Sequence, residues 1–308
     1  MLDIVIHKFA TWNGADIFIL REDLLPLACG GNKVRIAQKL IADAKAKGAD
    51  TILGYGNSRS NLCRVLTMLC AKEKLGCVII SPSDDDGMRL ETMNSRIVRL
   101  FGAEIVCCEK AAVISDVVQS ALDRLRTEGR RPYYIFGDKS GHGNERVLMS
   151  AYEDVAGQIL SWQRSYGVRF DRIALAVGTG STYAGLLNGL RSQGEGIEIL
   201  GFTIARDVAR CKAEIERFLK SGQKCCVEND VVVSDIALAG GYGRSTGEEI
   251  RFLKTVAQDS SILFDSTYVG KALWGLAKTI CPSKGQERIL FVHTGSLPLS
   301  FDLIGSLR

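Results

Sequence analysis

Short apolar runs rich in β-branched residues alternate along this chain with stretches of helical periodicity. Asp16 to Leu20 (DIFIL), Thr51 to Gly54 (TILG), Cys77 to Ser81 (CVIIS) and Glu104 to Cys108 (EIVCC) read as strands. So do Tyr133 to Phe136 (YYIF), Arg172 to Val177 (RIALAV), Glu198 to Ile204 (EILGFTI) and Ile289 to His293 (ILFVH). Helical stretches fill the intervals, among them Arg35 to Lys47 and Arg64 to Lys74. In the latter, Val65, Leu66, Leu69 and Cys70 form one apolar stripe. Strands separated by helices require crossover connections and therefore parallel pairing. RIALAV is apolar on both faces, as a strand covered from both sides must be. No internal repeat and no flexible linker stands out, so the pattern predicts domains interleaved in sequence.

Composition narrows the class. Hydrophobic residues make up 46% of the 308 positions and charged residues 24%, which excludes a disordered chain. A chain of this length buries roughly 75% of its unfolded surface without staples. The net charge is only +4, from 39 basic and 35 acidic residues. The basic cluster Arg124, Arg126, Arg130 and Arg131 is interleaved with acids and lacks aromatic neighbours, so it reads as a solvated helix face and not a nucleic-acid site. No apolar run reaches the roughly 20 residues that span a bilayer, and Met1 to Ala10 lacks the apolar core of a signal peptide. The ten cysteines include the adjacent pairs Cys107-Cys108 and Cys225-Cys226 but no C-x-x-C, which predicts reduced thiols serving as small hydrophobes and no metal.

Four places carry chemistry. Cys29-Gly30-Gly31-Asn32-Lys33 precedes a helix. The glycines permit a tight turn, and a lysine at a helix N-terminus has a lowered amine pKa, which suits a Schiff-base nucleophile; a solvated first-turn lysine is the other reading. Gly54 to Asn61 (GYGNSRSN) lies between a strand and a helix, where open α/β sheets bind ligands and where Ser60 or Asn61 can also act simply as a helix cap. Gly178-Thr179-Gly180-Ser181-Thr182 follows a buried strand and opens a helix from Tyr183. Its backbone N–H groups and hydroxyls suit a phosphate monoester, although it is neither a P-loop nor a dinucleotide fingerprint. Phe291 to Ser296 ends a last strand in polar groups. There Thr294 offers one hydroxyl to a heterocycle, and His293 reads as structural.

In this order, the sites resemble the fold type II pyridoxal-phosphate enzymes, in the branch of D-cysteine desulfhydrase and 1-aminocyclopropane-1-carboxylate (ACC) deaminase. The resemblance spans almost the whole chain: Leu20-Arg21-Glu22-Asp23, Gly30 to Lys33, Ser60-Asn61 with Arg64, the 178–185 loop, Gly241-Tyr242-Gly243, Thr267 to Lys271 and His293-Thr294-Gly295. It implies pyridoxal 5′-phosphate as cofactor and an α/β, tryptophan synthase β-like two-domain fold with parallel-rich sheets flanked by helices. The large cofactor-binding domain would take 1–50 plus 161–308, and the small domain 51–160. Lys33 would form the Schiff base and shuttle the Cα proton. Gly178, Thr179, Gly180, Ser181 and Thr182 would hold the phosphate. Asn61 would meet the pyridine O3′, and Thr294 the ring nitrogen. Ser60 would lie beside the substrate carboxylate and assist proton transfer, Tyr242 and Tyr268 would face the substrate, and Asn57 and Arg59 would also touch it.

Two positions separate the branch members. ACC deaminases resemble this chain but carry Glu where Val269 stands and Leu where Thr294 stands, so the resemblance points to desulfhydrase-like chemistry. A neutral hydroxyl at the ring nitrogen makes a weaker electron sink than a carboxylate, which favours expelling a β-leaving group over transamination. Departures count against D-cysteine itself as the substrate. Arg59 and Leu62 replace Gln and His, Ser181 stands where Gly is common, and Gly137-Asp138-Lys139-Ser140-Gly141-His142-Gly143 replaces a Gly/Ser-rich loop. Arg59, Lys139 and His142 read either as a second anion-binding group or as surface residues, with Arg59 facing solvent or pairing with Asp138. The expected activity is α,β-elimination (deamination) of a small-molecule amino acid by a cytoplasmic homodimer, with no nucleic-acid or membrane partner. A β- or γ-replacement synthase of amino-acid or natural-product metabolism, and more remotely a non-catalytic nucleotide-binding protein, remain as alternatives.

Overall fold

The computed structural model describes residues 2–84, 87–222, 230–238, 240–281 and 287–306; Cys225 and Cys226 lie outside them. The strands in chain order are β1 (Ile6–Trp12), β2 (Ala15–Arg21), β3 (Thr51–Tyr55), β4 (Gly76–Pro82) and β5 (Glu104–Cys108). They continue as β6 (Pro132–Tyr134), β7 (Arg172–Val177), β8 (Glu198–Thr203), β9 (Val232–Ser234) and β10 (Arg288–His293). The helices are α1 (Asn32–Ala46), α2 (Asn61–Glu73), α3 (Met93–Leu100), α4 (Ile114–Thr127) and α5 (Glu145–Tyr166). After them come α6 (Ser181–Arg191), α7 (Val208–Lys220), α8 (Gly247–Ser260), α9 (Val269–Thr279) and α10 (Leu297–Ser306). The chain divides into two compact units, residues 1–32 with 149–308 and residues 33–148. The divides fall at the first residue of α1 and in the first turn of α5, whereas the bounds expected from sequence, 50/51 and 160/161, fall after α1 and inside α5.

The first unit is built on a six-stranded sheet in the order β1-β2-β10-β7-β8-β9, parallel except for the β1–β2 hairpin. Asn13 and Gly14 join that hairpin with positive φ at both positions (47° and 85°), the geometry that matches the twist of two antiparallel strands. Neither β1 nor β9 is among the strands predicted from the sequence. β2 is thereby an interior strand, and Ile17, Ile19 and Leu20 are fully buried. Ile17 and Ile19 join Phe291 of β10, Phe202 of β8 and Val269, Leu273 and Leu276 of α9 in one apolar core.

The second unit carries a four-stranded, wholly parallel sheet in the order β5-β4-β3-β6. Its inner strands β3 and β4 bury Ile52, Leu53, Val78, Ile79 and Ile80. The cysteines described are all free. Cys63, Cys70 and Cys211 are buried as small hydrophobes, but Cys29, Cys107 and Cys281 are exposed, so that expectation does not extend to them.

In the first unit α6 packs on α5 through two glycines one turn apart. A Cβ on Gly185 would stand 2.4 Å from the Met149 carbonyl oxygen and 2.8 Å from Tyr152 Cβ, and one on Gly189 would stand 2.7 Å from Ala156 Cβ. Glycine costs helix propensity of up to ~1 kcal/mol relative to alanine, so close packing is what retains it here. Gly185→Ala is expected to destabilise by about 1–3 kcal/mol through overpacking, despite its better propensity. A lower urea midpoint at unchanged m value would show this; an equal or higher midpoint would contradict it.

Candidate active site

In the first unit, β7 delivers the chain into the loop from Gly178 that opens α6. Gly180, the residue before the helix, has φ 94° and supplies no side-chain cap. Among the described residues no acceptor receives the backbone N–H groups of Gly178 through Tyr183; the first one satisfied is Ala184, on the Gly180 carbonyl at 2.9 Å. Consecutive unsatisfied N–H groups at a helix N-terminus form an anion cradle, favoured further by the helix dipole. Thr179 and Ser181 hydroxyls lie 3.3 Å apart at its mouth. The Arg206 guanidinium donates to the Gly178 carbonyl and brings positive charge to the loop.

Asn32 ties this loop to the end of β10. Its side-chain amide donates to the Thr182 hydroxyl at 3.0 Å, and its backbone N–H donates to the Thr294 carbonyl at 3.0 Å. The two backbone segments cross so closely that a Cβ on Gly295 would stand 2.3 Å from Gly31 Cα, and Gly31 itself has φ 100°. The Thr294 side chain is buried, and its hydroxyl has no hydrogen-bond partner among the described residues. His293 is structural. Burial lowers its pKa, its Nε2 faces the Leu263 carbonyl at 3.0 Å, and its Nδ1 accepts the Gly295 N–H at 3.2 Å. Tyr242 and Tyr268 meet hydroxyl to hydroxyl, with ring centroids 5.6 Å apart.

In the second unit, Lys33 follows Asn32 in the first turn of α1, part-buried, and burial lowers its amine pKa to about 8. Ser60 is the N-cap of α2 and accepts the Cys63 N–H at 3.2 Å, so the capping role read from sequence is present. A hydroxyl that accepts at a cap can still donate. The Asn61 side-chain oxygen accepts from Asn94 Nδ2 at 2.9 Å, and Asn94 also donates to the Arg59 carbonyl at 3.1 Å. Asn57 braces the same turn by accepting the Arg59 N–H at 3.2 Å. Arg59 pairs with Asp84 at 3.6 Å and not with Asp138, whose carboxylate instead accepts the N–H groups of Ser140 and His142. Those two bonds hold Asp138 below the usual carboxylate range and leave Lys139 and His142 exposed on the loop.

Each unit therefore gathers part of the set named from sequence: the phosphate-loop residues, Thr294 and the two tyrosines in one, Lys33, Asn57, Arg59, Ser60 and Asn61 in the other. Three contributors were not singled out in the sequence. Asn32 stands inside a motif that was. Asn94 and Arg206 lie 33 and 28 positions from the groups they hold, and no local pattern marks them.

A family model described as pyridoxal-phosphate dependent enzyme matches residues 5–295. The chain belongs to this family. It is similar to the D-cysteine desulfhydrase of Klebsiella pneumoniae (strain 342), 31% identical over 297 residues that cover 94% of this chain and 89% of the relative. Its fold is similar to the crystal structure of an ACC deaminase homologue at TM-score 0.86 and 27% identity, covering 100% of this chain and 94% of the other. It shares the fold alone with O-ureido-L-serine synthase, at TM-score 0.69 and 18% identity over 100% of this chain and 93% of the other. The fold type II architecture expected from sequence is thus the observed one. As a member of the pyridoxal-phosphate dependent family the chain is an enzyme, which sets aside the non-catalytic nucleotide-binding alternative. The residues fit the cofactor: the 178–183 cradle matches a phosphate, and the unpartnered Thr294 hydroxyl matches a heteroaromatic nitrogen.

Two outcomes follow from this geometry. Thr182→Val removes the acceptor of Asn32 and a hydroxyl beside the cradle, and should weaken cofactor binding to the apoprotein by roughly 1.5–3 kcal/mol; an unchanged dissociation constant would place the phosphate elsewhere. An amine is nucleophilic only when neutral, and a lysine with pKa about 8 is half neutral two units below an ordinary one. Trapping of Lys33 with an aldehyde and borohydride should accordingly rise about tenfold per pH unit up to pH 8 and then flatten, while surface lysines keep rising toward pH ~10.4. A Lys33 rate still climbing between pH 9 and 10 would contradict the assigned environment.

Proposed function

We propose that the chain catalyses α,β-elimination from an amino acid bearing a β-leaving group, yielding a 2-oxo acid and ammonia, as a desulfhydrase-like lyase. The carrying observation is the buried Thr294 hydroxyl at the end of β10, which has no partner among the described residues, while Val269 at the start of α9 is buried and apolar. The 31% identity to a D-cysteine desulfhydrase supports the same reading.

Pyridoxal phosphate supplies an electron sink for the substrate's Cα once joined to its amino nitrogen. The residues then have separate tasks. Lys33 would hold the cofactor through its amine and, as a neutral amine, would take the Cα proton. The lowered pKa supports this, because a lysine of ordinary pKa stays protonated at neutral pH and cannot accept one. Gly178, Thr179, Gly180, Ser181 and Thr182 anchor the phosphate. Asn61 donates to O3′, with its own oxygen already occupied by Asn94. Ser60 and Asn57 bind the substrate carboxylate with Arg59, and Ser60 assists proton movement. Tyr242 and Tyr268 face the substrate and give a proton to the departing group. Thr294 meets the ring nitrogen with a neutral hydroxyl.

The substrate is a small amino acid, and the active species a cytoplasmic homodimer. The unit of residues 1–32 with 149–308 serves as the cofactor-binding domain and residues 33–148 as the small domain, in place of the bounds 1–50 plus 161–308 and 51–160 expected from sequence.

A panel of D- and L-amino acids with β-leaving groups, including D-cysteine and doubly anionic members, incubated with and without an added thiol, tests the reading. Pyruvate-type oxo acid with equimolar ammonia supports elimination, whereas a new amino acid formed only with thiol would establish replacement instead. Thr294→Leu should slow elimination about 5- to 150-fold, the effect of leaving a buried acceptor unpaired at roughly 1–3 kcal/mol. Thr294→Asp should shift product toward transamination. An unchanged rate in Thr294→Leu would remove Thr294 from the ring nitrogen.

A further inference from the structure

We propose that Lys271 is a positioning residue: its buried ammonium fixes the Leu238 and Gly241 carbonyls that lead into Tyr242 and so sets that phenol against Tyr268. The proposal rests on the reading above for what the tyrosines do, and on the first unit's own geometry for how they are held.

Lys271 is fully buried in the first turn of α9. Its Nζ donates to the Leu238 carbonyl at 2.9 Å and to the Gly241 carbonyl at 3.2 Å. Those two carbonyls also close the local turns, accepting the Gly241 N–H at 2.8 Å and the Arg244 N–H at 3.3 Å. One cation therefore holds both carbonyls leading into Tyr242 at once. The facing segment is held from the same place. Asp265, fully buried, accepts the N–H groups of Thr267 at 2.7 Å and Tyr268 at 2.6 Å on one oxygen and that of Val269 at 3.1 Å on the other. Lys271 thus sits between a carboxylate that orders the Tyr268 segment and carbonyls that order the Tyr242 segment.

A cation at a helix N-terminus is electrostatically unfavourable and costly to bury. Something must compensate for it here. Glu249 on α8 is also fully buried, and neither of its carboxyl oxygens has a hydrogen-bond partner among the described residues. Lys271 is the charge that favours its ionised form, against a burial that raises its pKa to about 7. Lys271 is in turn supported by Glu249 and Asp265 against a burial that lowers its own pKa. An ammonium whose protons are spent on two carbonyls inside such a cluster is not a nucleophile, and its role is to hold the tyrosine loop.

The test compares the holoenzyme with Lys271→Met, Lys271→Arg, Tyr242→Phe and the double variant Lys271→Met/Tyr242→Phe. Hydrogen exchange is followed at Gly241 and Arg244 in the apo and loaded forms, and turnover in the loaded form. Lys271→Met should raise exchange at those two amides at least tenfold while cofactor absorbance stays at full occupancy, and Lys271→Arg should restore much of the protection. Its loss of turnover should not add to that of Tyr242→Phe, because both remove the same phenol from its place. Unchanged exchange at both amides, or losses that multiply in the double variant, would overturn the proposal. If Lys271→Met does not fold, Lys271→Gln decides: a shorter, neutral amide must raise exchange at Gly241 and Arg244 if the ammonium holds them, and no change there overturns the proposal. If Tyr242→Phe turns over at the wild-type rate, the proposed role of Tyr242 fails, while the exchange result still judges the positioning.

Discussion

The close crossing of two backbone segments, Gly30 to Asn32 over Thr294 to Ser296, is the constraint on which much of the first unit's site depends. With Cβ atoms at Gly31 and Gly295 the segments would have to separate, and the 3.0 Å bond from the Asn32 N–H to the Thr294 carbonyl would be lost. Through that bond and its side-chain bond to Thr182, one asparagine fixes the end of β10 and the anion cradle of α6 relative to each other. The same residue begins α1, so the backbone from which Lys33 projects starts at that anchored point. Glycines are spent here on proximity, whereas in α6 they are spent on helix packing; in both places a side chain would collide with backbone.

The electrostatics of the α6 loop favour a bound anion. The first turn of α6 presents its N–H groups without acceptors, and Arg206 adds positive charge beside them. This arrangement is unfavourable alone and favourable with a dianion in place. Lys33, by contrast, has its charge disfavoured by burial, which lowers its pKa to about 8. A permanent cation at that place would compete with the chemistry proposed for it, which requires a neutral amine in the working pH range.

Much of this was legible in the sequence. The parallel strands β7 and β10 and both Gly-rich turns are local signals, carried by apolar runs that end in glycine and hydroxyl residues. β1 was marked only by Asn13-Gly14, a two-residue hairpin signal within an otherwise mixed segment, and β9 is three residues long, too short for a period to declare itself. The side-chain supports were less visible for a physical reason. Asn94 to Asn61, Arg206 to Gly178 and Lys271 to Leu238 are bonds between elements distant in sequence, and each rests on tertiary geometry with no residue pattern of its own. Arg59 illustrates the limit: its type suggested a substrate anion or Asp138, and the fold supplies Asp84 at 3.6 Å.

The neutral partner proposed for the ring nitrogen gains weight from the carboxylate that lies near it. Asp265 takes a hydrogen bond from the Ser296 side chain, two residues from Thr294, and a carboxylate at a pyridine nitrogen would deepen the electron sink and favour transamination. Its oxygens, however, are already committed to the Thr267, Tyr268 and Val269 N–H groups and to Ser296. Burial also raises its pKa to about 6, so the ionised form depends on those donors. Turning Asp265 toward a ring would leave the buried N–H groups of Thr267 and Val269 unsatisfied, at about 1–3 kcal/mol each, and would release the half-buried Tyr268 segment. The carboxylate is thus held in a structural role by the bonds that order Tyr268, and the hydroxyl of Thr294 is left as the short polar group at the end of β10 with no prior commitment. The same bonds that place a tyrosine would thus leave a bound cofactor with a neutral partner and a weaker electron sink, which suits the proposed elimination.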